Sequence, residues 1–278
     1  MRTHILFMTL VLIFTVLVFS TDAAAVDAQI TDRTGAKTIV SNLKSHRHDS
    51  CGGFMYYLGV ATETDFYYDF LPVKTGEYEV QIPFEIIKLV TVQEKTDPKD
   101  TWRKSYLYNI FLSDGTEIKG ELRKVSEFTG ASDLGAFKIA TGGVKEIVFT
   151  HKPSLSFNAT SCGKNKATLV LSDGSQLLLN GVAFVNEKKN RNGCYIGEEE
   201  CLYSMKFKAG ESEYDIEWGK ISSIVFGGSE KFKLVAKTGS ELVGTAQNTI
   251  GAEGIATIGH FKLRVIVPFD SKASKLTF

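Results

Sequence analysis

The sequence has no surplus of charge: Lys plus Arg and Asp plus Glu both number 32. Nucleic acid and anionic membrane surfaces both select a basic excess, so neither is expected as the main partner. Proline is scarce, five residues in 278, and no long biased tract occurs, which argues against extended disorder. Only one apolar run approaches spanning length, and it lies at the start, so no integral membrane span is expected once that run is removed. No cysteine falls at the end of that run, which argues against a lipid-anchored cysteine.

That run sits in MRTHILFMTLVLIFTVLVFSTDAAAVDAQ. Arg2 supplies a positive start, Ile5 to Phe19 is apolar apart from Thr9 and Thr15, and small residues follow. This anatomy predicts a secretory signal peptide over residues 1–25, cleaved after Ala25 or after Ala28. The run is shorter than the roughly 20 residues of a spanning helix. The protein is therefore expected to be exported, periplasmic or extracellular. About 250 residues are left, enough for one large β domain or two ordinary ones. Four cysteines suit an oxidising compartment. Cys194 and Cys201 bracket CYIGEEEC and are expected to bridge, which leaves Cys51 to pair with Cys162.

What the sequence does have is repetition. FLSDGTEIKGEL from Phe111 returns as VLSDGSQLLLNG from Val170 and VAKTGSELVG from Val235. Four segments close on apolar residues spaced by three and then two: Ile87/Val90/Val92, Val144/Ile147/Phe149, Ile221/Ile224/Phe226 and Ala273/Leu276/Phe278. That spacing predicts a single helical turn running into a strand. GEYEVQIPFEIIKLVTV from Gly76 aligns without a gap on GESEYDIEWGKISSIVF from Gly210, at an offset of 134. DGTEIKG aligns on TGSELVG, and DLGAFKI on TIGHFKL, at an offset of 124. Around Val267–Asp270 the fourth closer looks displaced by an insertion. The chain thus reads as all-β, tandem small β-meander or barrel modules in A-B-A-B order. Two modules fall in 26–150 and two in 151–278, the latter with a disulfide-pinned insertion near 186–203. Asp-Gly marks tight hairpins, while Gly120 and Gly244, in mid-strand, predict a bulge or bend. Glu94–Lys104 and His151–Lys166 read as connectors.

The B modules, FLSDGTEIKGEL with LGAFKI and VKEIVF, resemble small barrels of the Sm-like and SH3-like kind over perhaps 40 residues each. The resemblance implies a small, strongly bent barrel. It brings no RNA-contacting residues, because the family's Asn pattern and a basic excess are both missing.

Candidate chemistry is sparse. In SHRHDSCGG, His46 and His48 would point one way on a strand and share a metal, whereas neighbouring His, Asp, Ser and Cys cannot converge as a triad. Glu198, Glu199 and Glu200 lie in the expected insertion; the calcium-loop spacing is absent, and a hydrated loop contacting a partner is the reading. FYYDF (Phe66 to Phe70) either lines a groove or, as expected here, packs its rings on both sides of a buried strand. His151 and His260 stand alone and read as structural. NATS at Asn158 is a glycosylation sequon. Phe278 follows the closer pattern, which explains it without an outer-membrane barrel. The repeated positions are apolar, Gly and turn residues, which serve folding. The expectation is an exported, non-enzymatic binding or scaffold protein with a protein or envelope partner and no cofactor. The alternatives are an extracytoplasmic hydrolase with its site between the halves, or a metal-binding module.

Overall fold

The computed structural model describes residues 26–51, 62–96, 104–189, 195–227, 229–247 and 249–278; the expected leader lies outside them. The chain is all-β, with 22 antiparallel strands in one large open sheet. Among the described residues no helix is long and apolar enough to cross a membrane.

The first eleven strands are β1 (Ala28–Asp32), β2 (Lys37–Cys51), β3 (Thr62–Tyr68), β4 (Phe70–Lys74), β5 (Glu79–Pro83), β6 (Ile87–Thr96), β7 (Lys104–Leu112), β8 (Glu117–Leu122), β9 (Glu127–Ser132), β10 (Gly135–Ala140) and β11 (Val144–Phe149). The second eleven are β12 (Asn165–Val170), β13 (Gln176–Lys189), β14 (Tyr195–Leu202), β15 (Ser204–Ala209), β16 (Ser212–Glu217), β17 (Ile221–Val225), β18 (Phe232–Ala236), β19 (Glu241–Ala246), β20 (Gly251–Ile258), β21 (Phe261–Pro268) and β22 (Lys275–Thr277).

Each set forms one ladder. The first runs β10–β9–β2–β1–β11–β6–β7–β8–β4–β5, with β3 added on β2. The second runs β21–β20–β13–β12–β22–β17–β18–β19–β15–β16, with β14 added on β13. Strand for strand, the pairings of the two ladders correspond. Registers agree as well: Ala28 faces Val40 where Ala167 faces Leu179, and Ile147 faces Val90 where Leu276 faces Ile224. One further pairing, β5 with β21, joins the ladders end to end. Strands meant for different modules interleave, since β11 lies between β1 and β6.

At three of the four closers the expected helical turn does run into a strand, but the spacing itself arises just after the turn. Short 3-10 turns at Phe84–Ile86, Thr141–Gly143 and Trp218–Lys220 end immediately before the first closer residue. A bulge then adds one residue, between Ile87 and Leu89, opposite Thr31/Asp32, and between Ile221 and Ser223. That extra residue returns i and i+3 to one face, and Ile87, Val90, Val144, Ile147, Ile221 and Ile224 are all fully buried. These residues belong to one continuous core spanning both ladders.

Mid-strand glycines are explained by close approach. A Cβ on Gly120 would overlap the Lys74 carbonyl, and one on Gly244 would overlap that of Lys208. The long strands β2 and β13 bend where Asn42 and Gly181 take φ of 54° and 66°, and the register with β9 and β20 shifts there. Two further expectations are corrected. Glu94–Lys104 is no connector, because Glu94–Thr96 and Lys104 onward are the arms of the β6–β7 hairpin. The DLGAFKI and TIGHFKL match is not structural: Ile139 faces Phe128, whereas Val267 faces the equivalent Ala252. The inserted residues mostly lengthen the β20–β21 hairpin at its tip.

Candidate functional site

Strands β5 and β21 meet with Gln81 opposite Arg264 and Glu79 opposite Ile266. Alternation along a strand puts Glu79 and Gln81 on one face and Arg264 and Ile266 beside them. Two hollows of about 350 and 530 Å3 lie on this face and share Phe70, Gln81, Glu199 and Arg264 as walls, so they form one groove along the junction. Arg47, Tyr68, Glu79 and Arg123 line one end, and Ser161, Cys162, Cys201 and Glu253 the other.

Arg264 is the hub. Its Nε donates to Glu253 Oε2 at 2.6 Å, Nη2 also donates to that oxygen, and Nη1 reaches Gln81 Oε1 at 3.4 Å. Glu253 is 2% exposed, and that guanidinium is its buried ion-pair partner. Nη2 lies 2.8 Å from Glu199 Oε2 as an ion pair, but that oxygen receives no hydrogen bond. Burial pushes the Glu199 carboxyl above its ordinary range; Arg264 opposes this, and the Glu79 and Glu253 charges add to it. Arg123 Nη1 donates to Glu79 Oε2 at 2.7 Å. Lys124 and Arg47 both pair with Glu187; burial raises that carboxyl, and the two cations outweigh it and hold it low.

No family model, curated protein or solved structure matches this chain.

The sulfurs pair differently from expectation. Cys162 is bonded to Cys201, with Cα atoms 6.4 Å apart, so neither Cys194–Cys201 nor Cys51–Cys162 forms. The reason is that Tyr195–Leu202 is an extended strand, not a loop. At about 3.3 Å per residue it carries Cys201 far beyond the roughly 7 Å within which Cα atoms can be bridged to its start. Cys194 and the Cys51 side chain lie outside the described residues. Glu253 Oε1 sits 3.0 Å from Cys162 Sγ and 3.5 Å from Cys201 Sγ. Among the described residues this is the one trio of potential metal ligands with donor atoms within 4.8 Å of one another. With both sulfurs in a disulfide it has no thiolate to offer a metal.

Two members of the acidic trio differ in setting. Glu199 faces the groove, Glu200 is exposed, and the Glu198 side chain is outside the described residues.

His46 and His48 do share a face, as alternation requires, and both reach Asp65 Oδ1 at 2.9 Å through Nε2 and Nδ1 respectively. The other nitrogen of His46 bonds Glu127, which Lys138 also contacts at 2.7 Å. Both nitrogens of His46 are thus engaged by carboxylates, and Tyr67 stacks on the ring at 4.7 Å. Hydrogen bonds from His48 and then His46 hold Asp65 below the ordinary carboxylate range. Glu127 is also held low: burial opposes, and bonds from Lys138 and His46 prevail.

The FYYDF strand is not buried on both sides: Tyr67 is 57% exposed, whereas Tyr68 and Phe70 line the groove. His151 Nε2 meets the Glu85 carbonyl at 3.2 Å, and His260 is exposed with its backbone N–H on Asp114. Asn158 is exposed beside Lys262. Arg264, Glu253, Glu79 and Arg123 escaped the sequence reading because they come from four separate segments. One signal was present: Glu253 stands alone in the otherwise uncharged strand GAEGIATI.

Proposed function

We propose that the protein is an exported, non-catalytic binding scaffold: an A-B unit copied once, holding a partner group in the groove where the copies meet. Matching pairings and registers in the two ladders support the copying. The small-barrel likeness rests on the β7–β8 and β18–β19 hairpins and adds no binding residues. Glu199 carries the binding reading, as a largely buried carboxyl beside Arg264 with one oxygen that no hydrogen bond satisfies. That oxygen is ion-paired with Arg264, and a ligand hydroxyl or amine supplies the hydrogen bond it lacks. The nearby nucleophiles serve structure: Ser161 Oγ donates to the Gly181 carbonyl, and Cys162 is in the disulfide. The partner class is a protein or envelope component outside the cell, presenting such a donor.

A hydrolase reading draws on one observation, the pairing of the raised Glu199 with the Arg-paired Glu253. Thermal shift with a panel of polyols, amines and short glycans, run beside glycosidic and ester substrates, separates the two. The scaffold reading expects saturable stabilisation that Glu199→Gln weakens at least tenfold, without turnover. Turnover that Glu199→Gln abolishes would replace it with the hydrolase.

A further inference from the structure

The two ladders join head to tail, and among the described residues that leaves the matching outer ends unpaired. The junction pairs β5, the last strand of the first ladder, with β21, the first strand of the second. At the outer ends stand β10, the counterpart of β21, and β16, the counterpart of β5. Among the described residues β10 pairs only with β9, and β16 only with β15. Every residue of the two end strands is exposed or half-exposed, whereas β5 and β21 are largely buried.

We propose that a second copy of this chain occupies these edges, with β16 of one copy pairing antiparallel with β10 of the next, as β5 pairs with β21 within the chain. An open strand edge is a template for further pairing, and a heterologous contact of this kind builds a ring or a filament. The register carries over. Pairing with β9 and β20 makes Ala136, Phe137 and Lys138 the counterparts of Arg264, Val265 and Ile266. The hairpins β4–β5 and β15–β16 make Glu213, Tyr214 and Asp215 the counterparts of Glu79, Val80 and Gln81. Copying the junction therefore sets Lys138 opposite Glu213, Phe137 opposite Tyr214 and Ala136 opposite Asp215.

Three things favour this partner over any other strand. Opposite charges meet at Lys138 and Glu213, and two rings meet at Phe137 and Tyr214, the latter 40% exposed. Both hairpins turn through two residues, after Ser132 and after Ala209. A two-residue hairpin bonds its closing pair, so Ala136 and Lys138 on β10, and Glu213 and Asp215 on β16, point their backbone groups outward. These are the groups that the copied register brings together. Glu213, Asp215 and Glu217 along one edge also repel a second β16, which selects β10 over like-with-like pairing. The contact does not depend on what the groove holds.

Sedimentation velocity of the full exported chain, from about 1 μM to about 1 mM, is the test. Concentration-dependent growth beyond the monomer is expected. Ala136→Pro removes an outward N–H without touching the β9 ladder, and should weaken association at least tenfold with the melting temperature little changed. Lys138→Glu should weaken it similarly, and the second change Glu213→Lys should restore it. A chain that stays monomeric throughout overturns the proposal. So does association that neither variant alters.

Discussion

Asp65 and Glu199 occupy matching places in the two ladders, Asp65 opposite His48 on β2 and Glu199 opposite Glu187 on β13, yet their acidities move in opposite directions. Asp65 has two imidazoles donating to it, whereas Glu199 is buried beside an arginine that is already bonded to another carboxylate. The cross-strand pair next along makes the same point with volume. Ser45 faces Phe128 in the first ladder, and Phe184 faces Ala252 in the second. All four are buried, and the single ring has changed strands. A pairing scheme therefore fixes how much volume and how many polar partners a position must have. It does not fix which strand supplies them.

The largest effect expected in breaking this comparison comes from the rings. Phe128→Ala and Phe184→Ala should each cost about 3–5 kcal/mol in chemical denaturation. Ser45→Phe combined with Phe128→Ala copies the second ladder into the first and should regain over half of that loss. It should still fall short by about 1 kcal/mol, because the Ser45 hydroxyl bond to the Phe70 carbonyl disappears. No recovery would mean that the rings are not interchangeable.

Next is the disulfide, which has no described equivalent in the first ladder. Cys162 and Cys201 are 39 residues apart, and replacing both with Ala should cost about 4 kcal/mol on a chain-entropy estimate. Hydrogen exchange should show the loss first in β13 and β14; loss spread evenly over both ladders would contradict the comparison. Smaller again are Gly120→Ala and Gly244→Ala, at about 1–3 kcal/mol each, since an added methyl meets backbone that cannot swing away. If either proves neutral, the close approach of β4 to β8 or of β15 to β19 is wrong.

Acid gives the smallest and most selective effect. Asp65 and Glu127 are held low in the folded chain, so their contribution is present above the ordinary carboxylate range and is lost as pH falls through their folded values. Glu199 is held high, so its contribution is present below that range and is lost as pH rises through its folded value. Amides of β2, β3 and β9 should lose exchange protection before those of β14 as pH drops below about 4, with β13 following β2 because Glu187 is held low as well. Asp65→Asn should flatten that difference. The reverse order would refute the assignment.

Much of this was legible in advance. The Asp-Gly turns fall between real strands and most closer residues fall on them, with Phe226, Ala273 and Phe278 just outside, because apolar alternation and turn chemistry are local. The match of DLGAFKI to TIGHFKL misled because a hairpin can lengthen at its tip while the residues there stay alike. The spacing of Cys194 and Cys201 points to a closed loop, whereas Tyr195–Leu202 is a strand that carries Cys201 to Cys162 instead. The groove was illegible for another reason: Glu253 and Arg264 share one hairpin and Glu79 and Arg123 share the first ladder, and the two pairs meet only where β5 joins β21.

Taken alone, the order of residues determined an all-β chain with recurring buried positions, since each depends on a period of two and on turns that few residues can make. Only the tertiary structure decided how the strands interleave, which sulfurs join and where charged groups gather. Those outcomes depend on register between segments far apart in sequence, and a shift of one residue there turns every side chain to the other face.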